Sequence, residues 1–137
     1  MIPLRQCDPL QLAVLSARAM GWEALPYNAS ACGEGQFCEA PSGPDGEPTV
    51  YWQGGRWSPA EDPGDALRLV AWAASRQRPV TMRGGSAEAV CFGASGPGSS
   101  AKPLDCESPE QWCATLCRAL SEASLSALGV QGWEEPG

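Results

Sequence analysis

Within the stretch Tyr51-Trp52-Gln53-Gly54-Gly55-Arg56-Trp57, aromatic rings and a guanidinium flank a pair of glycines. Flat rings offer stacking faces for a nucleobase, and a guanidinium is a planar, two-pronged donor for a phosphate or carboxylate. Further cations, Arg76, Arg78 and Arg83, follow along the chain. In a chain that is acidic overall, a local basic pocket would admit a small anion while the surrounding field turns away a long polyanion. Tyr51, Arg56, Trp57, Arg76, Arg78 and Arg83 are therefore the candidate ligand-binding residues, and a small nucleotide-like anion is the ligand they suit. Plain structural roles compete with this one. Trp52 and Trp57 would serve as hydrophobic anchors, since large aromatics are mostly buried, and the arginines would pair with Glu61, Asp65 or Glu88 at the surface.

Bond-breaking chemistry is harder to assemble. The chain has no histidine, which removes the imidazole base of the usual serine and cysteine nucleophiles and the commonest metal ligand. Glu61 with Asp62, and Asp62 with Asp65, form carboxylate pairs, but they stand where a helix begins and capping accounts for them. Of the seven cysteines, Cys7, Cys32, Cys38, Cys91, Cys106, Cys113 and Cys117, only Cys106 and Cys113 lie near a helix start that would activate a thiol. Cys32, Cys38, Cys113 and Cys117 can be drawn as a four-thiolate zinc site, yet their spacing is not that of a zinc ribbon, and a buried cysteine behaves as a small apolar residue. The expectation is a protein without catalytic residues, metal or cofactor.

The net charge of −7 argues against nucleic acid, which is bound through clustered Lys and Arg. All the cations except Lys102 are arginine, the better fork for one small anion. No segment approaches the run of about 20 apolar residues that crosses a bilayer. The opening Met1-Ile2-Pro3-Leu4-Arg5-Gln6 does not read as a signal peptide, so no membrane association and a cytoplasmic location are expected. An odd number of cysteines without an export signal disfavours a disulfide framework.

The elements that must position these residues are marked by three punctuations: Asp8-Pro9-Leu10-Gln11, Asp62-Pro63-Gly64-Asp65 and Ser108-Pro109-Glu110-Gln111. Each combines a capping side chain with a proline, whose missing N–H costs nothing in a first helical turn. Helices are predicted over 9–20, with Leu10, Ala13, Val14, Ala17 and Met20 inward and Gly21 as terminator; over 63–76, with Ala66, Leu67, Val70, Ala73 and Ala74 inward; and over 108–123, where Gln111 would complete a capping box with Ser108. A hairpin is predicted over 49–58 with Gly54-Gly55 as its two-residue turn, which puts Trp52 opposite Trp57 and Gln53 opposite Arg56. A second spans 79–92 around Gly84-Gly85-Ser86.

The resulting fold class is α+β: an antiparallel sheet of about four strands, formed by two hairpins and sandwiched with three helices in α-ββ-α-ββ-α order. One domain over 1–126 with long loops near 26–48 and 93–107 is expected, the Gly/Ser run after Phe92 being flexible, followed by a short acidic tail over 127–137. Trp133 is the one residue of that tail suited to docking.

Ala19-Met20-Gly21-Trp22, then Trp57-Ser58-Pro59-Ala60-Glu61-Asp62-Pro63-Gly64-Asp65-Ala66 running into Leu67-Arg68-Leu69-Val70, then Glu107-Ser108-Pro109-Glu110-Gln111-Trp112-Cys113 and the helix through Cys117-Arg118-Ala119-Leu120, resemble in order and spacing the phage ABA sandwich family. The similarity covers most of 8–123. The segment between Trp22 and Tyr51 is longer and richer in cysteine than the family's pattern. Such a resemblance implies helices on both sides of a sheet and a bacteriophage or prophage origin, and it brings no catalytic residues. Joined to the arginine and aromatic content, it leads to the expectation of a non-enzymatic phage protein that sequesters a nucleotide-type signalling molecule in the host cytoplasm, an anti-defence sponge, with self-association into a homo-oligomer. The alternative is a module that inhibits or redirects a host protein through its acidic surface and the 29–48 loop; a small nucleotide-consuming enzyme is the third reading.

Overall fold

Helix α1 (Pro9–Ala19) starts as its sequence prescribes. The Asp8 carboxylate accepts the Gln11 N–H at 2.7 Å and the Gln11 side chain accepts the Asp8 N–H at 3.0 Å, so two otherwise orphaned donors are satisfied reciprocally. Gly21 takes a left-handed φ of 79° at the other end, and the Trp22 N–H returns to the Ala17 carbonyl at 3.0 Å. The computed structural model describes residues 1–25, 35–40, 49–52, 55–78, 80–83, 86–93, 96–103 and 109–134. Helix α2 (Pro63–Ser75) is capped by Asp62, whose Oδ1 accepts the N–H groups of Gly64 at 2.8 Å and Asp65 at 3.2 Å. Helix α3 (Pro109–Ala127) outruns the predicted end at 123. Its buried stripe continues through Leu125 and Ala127, and Gly129, at φ 88°, supplies the stop. Ser108, the predicted cap, lies outside the described residues.

The strands, in chain order, are β1 (Ile2–Pro3), β2 (Glu23–Leu25), β3 (Gln36–Ala40), β4 (Thr49–Trp52), β5 (Gly55–Trp57), β6 (Val80–Arg83), β7 (Ser86–Gly93), β8 (Gly96–Pro103) and β9 (Gly132–Trp133). The chain is α+β, as expected, but the two predicted hairpins do not share one four-stranded antiparallel sheet. The first forms an edge of a mixed sheet ordered β2-β3-β4-β5, in which β2 and β3 run parallel. The second joins β8 in a separate antiparallel sheet, β6-β7-β8. Strand β8 occupies most of the Gly/Ser run read as flexible; backbone pairing with β7, from Ser86↔Pro103 to Gly93↔Gly96, supplies the order that its small side chains cannot. Strand β3 likewise lies inside the stretch 26–48 predicted as loop, most of which is outside the described residues. The acidic tail is also tied down, because β9 pairs with β1.

Helix α1 is buried on two sides. Ala13, Val14 and Ala17 meet Phe37, Val50 and Trp57 of the four-stranded sheet, while Leu12 and Leu15 meet Leu4, Cys7, Ala60, Leu69 and Leu125. That second face lay outside the predicted stripe. Helix α3 packs on α2 and against the three-stranded sheet. Helix α2 turns Ala66, Leu69 and Ala73 inward, and Leu67, predicted inward, is 60% exposed. The i, i+3, i+7 series from Ala66 passes through Leu69 and leaves Leu67 on the other side of the helix. Arg118 ties α3 to the amino-terminal turn: it pairs with Glu122 at 3.3 Å and donates to the carbonyls of Leu4, Arg5 and Cys7.

Asp65 is buried and accepts the Ser58 N–H at 3.0 Å, which fixes β5 to the start of α2. Burial pushes its carboxyl above the ordinary 3.8; the Ser58 N–H, Arg68 and Arg56 pull the other way, and Asp62 adds to the rise. The folded state therefore holds this proton more tightly than the unfolded chain. Its contribution to stability is fully present below 3.8 and is lost as pH rises through the raised folded value. Denaturant titrations across that window are expected to show a decline that Asp65→Asn flattens; an unchanged slope in the variant would mean that another group titrates there.

Candidate functional site

The first hairpin is in place, but its register differs from the predicted one. Val50 pairs with Trp57, Tyr51 with Arg56 and Trp52 with Gly55, so Gln53-Gly54 connects the strands instead of Gly54-Gly55; those two residues lie outside the described set. Each side chain keeps its predicted face, because moving the turn back by one residue changes the pairing sum by two. Tyr51 and Arg56 are thus neighbours on one face, as the candidate site requires, and Trp52 and Trp57 share the other.

Trp57 is a core residue, not a ligand contact. It is 1% exposed, and its indole N–H donates to Ser16 Oγ at 2.9 Å and the Ala13 carbonyl at 3.2 Å. Trp22 and Trp52 stack at 4.7 Å with 12° between their planes, and Trp57 meets both edge-on at 4.8 and 5.4 Å. Such offset and edge contacts suit the charge distribution of aromatic rings. Trp22 reaches this cluster because Gly21, at φ 79°, turns the chain back onto the core.

Arg56 is exposed and pairs with Glu61 at 3.0 Å, and Ser58 Oγ donates to the same carboxylate oxygen at 3.0 Å. The recess here, lined by Pro9, Leu10, Ala13, Val50, Arg56, Trp57, Ser58 and Glu61, encloses about 20 Å³, space for on the order of one water. A nucleotide cannot enter it. Arg76 lies over the Trp72 ring at 4.4 Å, at the end of α2. Arg78 follows it, half-buried, and Arg83 is in β6, opposite Ser86. Tyr51 and Arg56 therefore stand in the four-stranded sheet and Arg83 in the three-stranded one.

Sequence reasoning missed two arginines. Arg68 lies over Trp52 at 5.1 Å, on the aromatic stack. Arg18 lies over Trp133 at 5.4 Å, beside a cleft of about 440 Å³ lined by Met1, Leu15, Arg18, Gly129, Val130, Gln131, Gly132 and Glu134. That volume falls within the range of about 300–1,000 Å³ typical of small-molecule sites. A guanidinium laid on an indole is held flat, with its N–H edge free for an in-plane anion. Glu134 and Gln131 add an acceptor and an amide to the same walls. No local pattern joins Arg18 to Trp133; the pairing of β1 with β9 does.

Among the described residues no three His, Cys, Asp or Glu side chains gather as a metal site, and no helix is long and apolar enough to cross a membrane. Compared with family models, curated proteins and solved structures, the chain has no match.

Proposed function

We propose that this protein binds and sequesters, without consuming it, a small anionic nucleotide-type molecule in the cleft beside Arg18. The observation that carries the reading is the ligand-sized hollow with the Arg18 guanidinium stacked on Trp133 at its edge. Arg18 would hold a phosphate in plane, while Glu134 accepts a ribose hydroxyl and Gln131 meets the base edge. The motif resemblance to the phage ABA sandwich family adds the biological setting: a phage protein that removes a signal made by a bacterial defence system. Fold alone carries no activity, so this setting rests on the motifs and on the chemistry of the cleft.

A panel of nucleotides, including cyclic dinucleotides and ADP-ribose-type compounds, tests the reading by thermal shift. A true ligand at a hundred times its dissociation constant stabilises by about 2.7 kcal/mol. Arg18→Ala is expected to weaken binding by at least about tenfold, the worth of one charge-assisted contact. If Arg56→Ala abolishes the shift and Arg18→Ala does not, the ligand lies on the hairpin. If no nucleotide shifts the protein, and none is released by heat from protein purified out of defence-carrying cells, the sequestration reading fails.

A second reading, docking onto a host protein, has one observation in its favour: Leu67 stands 60% exposed on α2, next to Arg68. Retention of one host protein by wild type and its loss with Leu67→Asp would favour that class.

A further inference from the structure

Cys113 and Cys117 are i, i+4 neighbours on α3, the spacing that brings two side chains onto one helix face with Cβ atoms about 5–6 Å apart. Cys113 is exposed; Cys117 is 2% exposed and packs with Ala66, Ala119 and Leu120. Both are free thiols. One sulfur faces solvent and the other waits directly behind it. Burial above all, with the neighbouring Cys113 adding to it, pushes the Cys117 thiol up to about 11, so Cys117 rests as a protonated thiol.

The helix keeps this pair from closing on itself. A disulfide needs Cβ atoms about 3.5–4.5 Å apart, less than a regular turn provides, and α3 is braced by its packing on α2. A single atom that bonds both sulfurs spans the gap without bending the backbone. Cys7, by comparison, is committed elsewhere: it is 1% exposed and its thiol donates to the Pro3 carbonyl at 3.4 Å.

We propose that Cys113 and Cys117 form a chelating dithiol for a monosubstituted trivalent arsenic compound of the type R–As=O. The exposed Cys113 sulfur adds first, and Cys117 closes the chelate. Two As–S bonds form, the oxide oxygen leaves with the two thiol protons as one water, and arsenic keeps its oxidation state, so no oxidant or reductant is required. The second bond is intramolecular, and the effective concentration of the second thiol raises affinity over a single contact by about 10²–10⁴-fold.

The test uses reduced full-length protein and one equivalent of phenylarsine oxide, read by intact mass and by peptide mapping after cleavage at glutamate. Cuts after Glu107 and Glu110 separate Cys106 from the peptide that carries Cys113 and Cys117. The expected result is one phenylarsenic bridge on that peptide which survives excess glutathione. Cys113→Ser, a change at an exposed position checked by its melting curve, should weaken retention by at least about a hundredfold, while Cys106→Ser leaves it unchanged. Retention by Cys113→Ser equal to wild type, or a bridge mapped to any other cysteines, overturns the proposal.

Discussion

Trp57→Ala should cost about 3–5 kcal/mol, the range for emptying a large aromatic site in a packed core. The ring is among the largest fully buried side chains, enclosed by Ala13, Val14, Ala17, Phe37 and Val50 and met edge-on by Trp22 and Trp52. Its loss leaves Ser16 Oγ without the indole donor and cuts the contact between α1 and the four-stranded sheet. Against a total stability of about 5–15 kcal/mol, such a change takes a large fraction of the whole, and the melting midpoint should fall by about 10–20 °C in a circular-dichroism scan. Trp57→Phe separates packing from hydrogen bonding. Ser16 Oγ still donates to the Ala13 carbonyl at 2.8 Å, so the phenyl variant should lose only about 1–2 kcal/mol. A midpoint for Trp57→Ala within a few degrees of wild type would contradict the placement of this ring in the core.

Gly132→Val should open the pairing of β1 with β9. A Cβ at position 132 would run into the Ile2 carbonyl oxygen and fall 3.0 Å from its carbon. Both are backbone atoms, so no rotamer change relieves the clash. Ile2 and Trp133 pack against the core from these two strands, and forcing them apart should cost about 1–3 kcal/mol, as overpacking does. The larger consequence is local. Met1, Val130, Gln131, Gly132 and Glu134 wall the Arg18 cleft, so the variant should lose every nucleotide-dependent thermal shift while α1, α2 and α3 stay folded by circular dichroism. Gly21→Ala, away from the cleft, is the comparison. Its φ of 79° opposes any side chain but nothing lies within 4 Å of the added Cβ, so it should cost about 1–2 kcal/mol and keep the shift. A Gly132→Val protein that melts and binds as wild type would show that the two strands do not shape the cleft.

Both variants probe contacts between segments distant in sequence, and that is where reading the chain alone ran short. The helix starts were legible because Asp8, Asp62 and the prolines after them act on the next turn of their own chain. The ends at Gly21 and the faces of Trp52 and Trp57 were legible for the same reason: a positive φ and a two-residue alternation are local properties. The phase of α2 was not, since Leu67 and Leu69 are equally apolar and only the position of the neighbouring elements selects between them. The hairpin turn was misplaced by one residue because Gln53-Gly54-Gly55 offers two glycine-containing two-residue turns of similar worth.

What the sequence determined by itself is thus an acidic α+β chain without an imidazole, its helix starts and the faces of its first hairpin, all set by backbone sterics, capping hydrogen bonds and charge within a few residues. The tertiary structure alone decided that the two hairpins belong to different sheets, that Trp57 is enclosed and Arg56 engaged with Glu61, and that Arg18 meets Trp133 beside an open cleft. Those outcomes depend on which surfaces bury one another and on the pairing of the chain's two ends, and long-range pairing is chosen by the summed fit of many residues that no local pattern records.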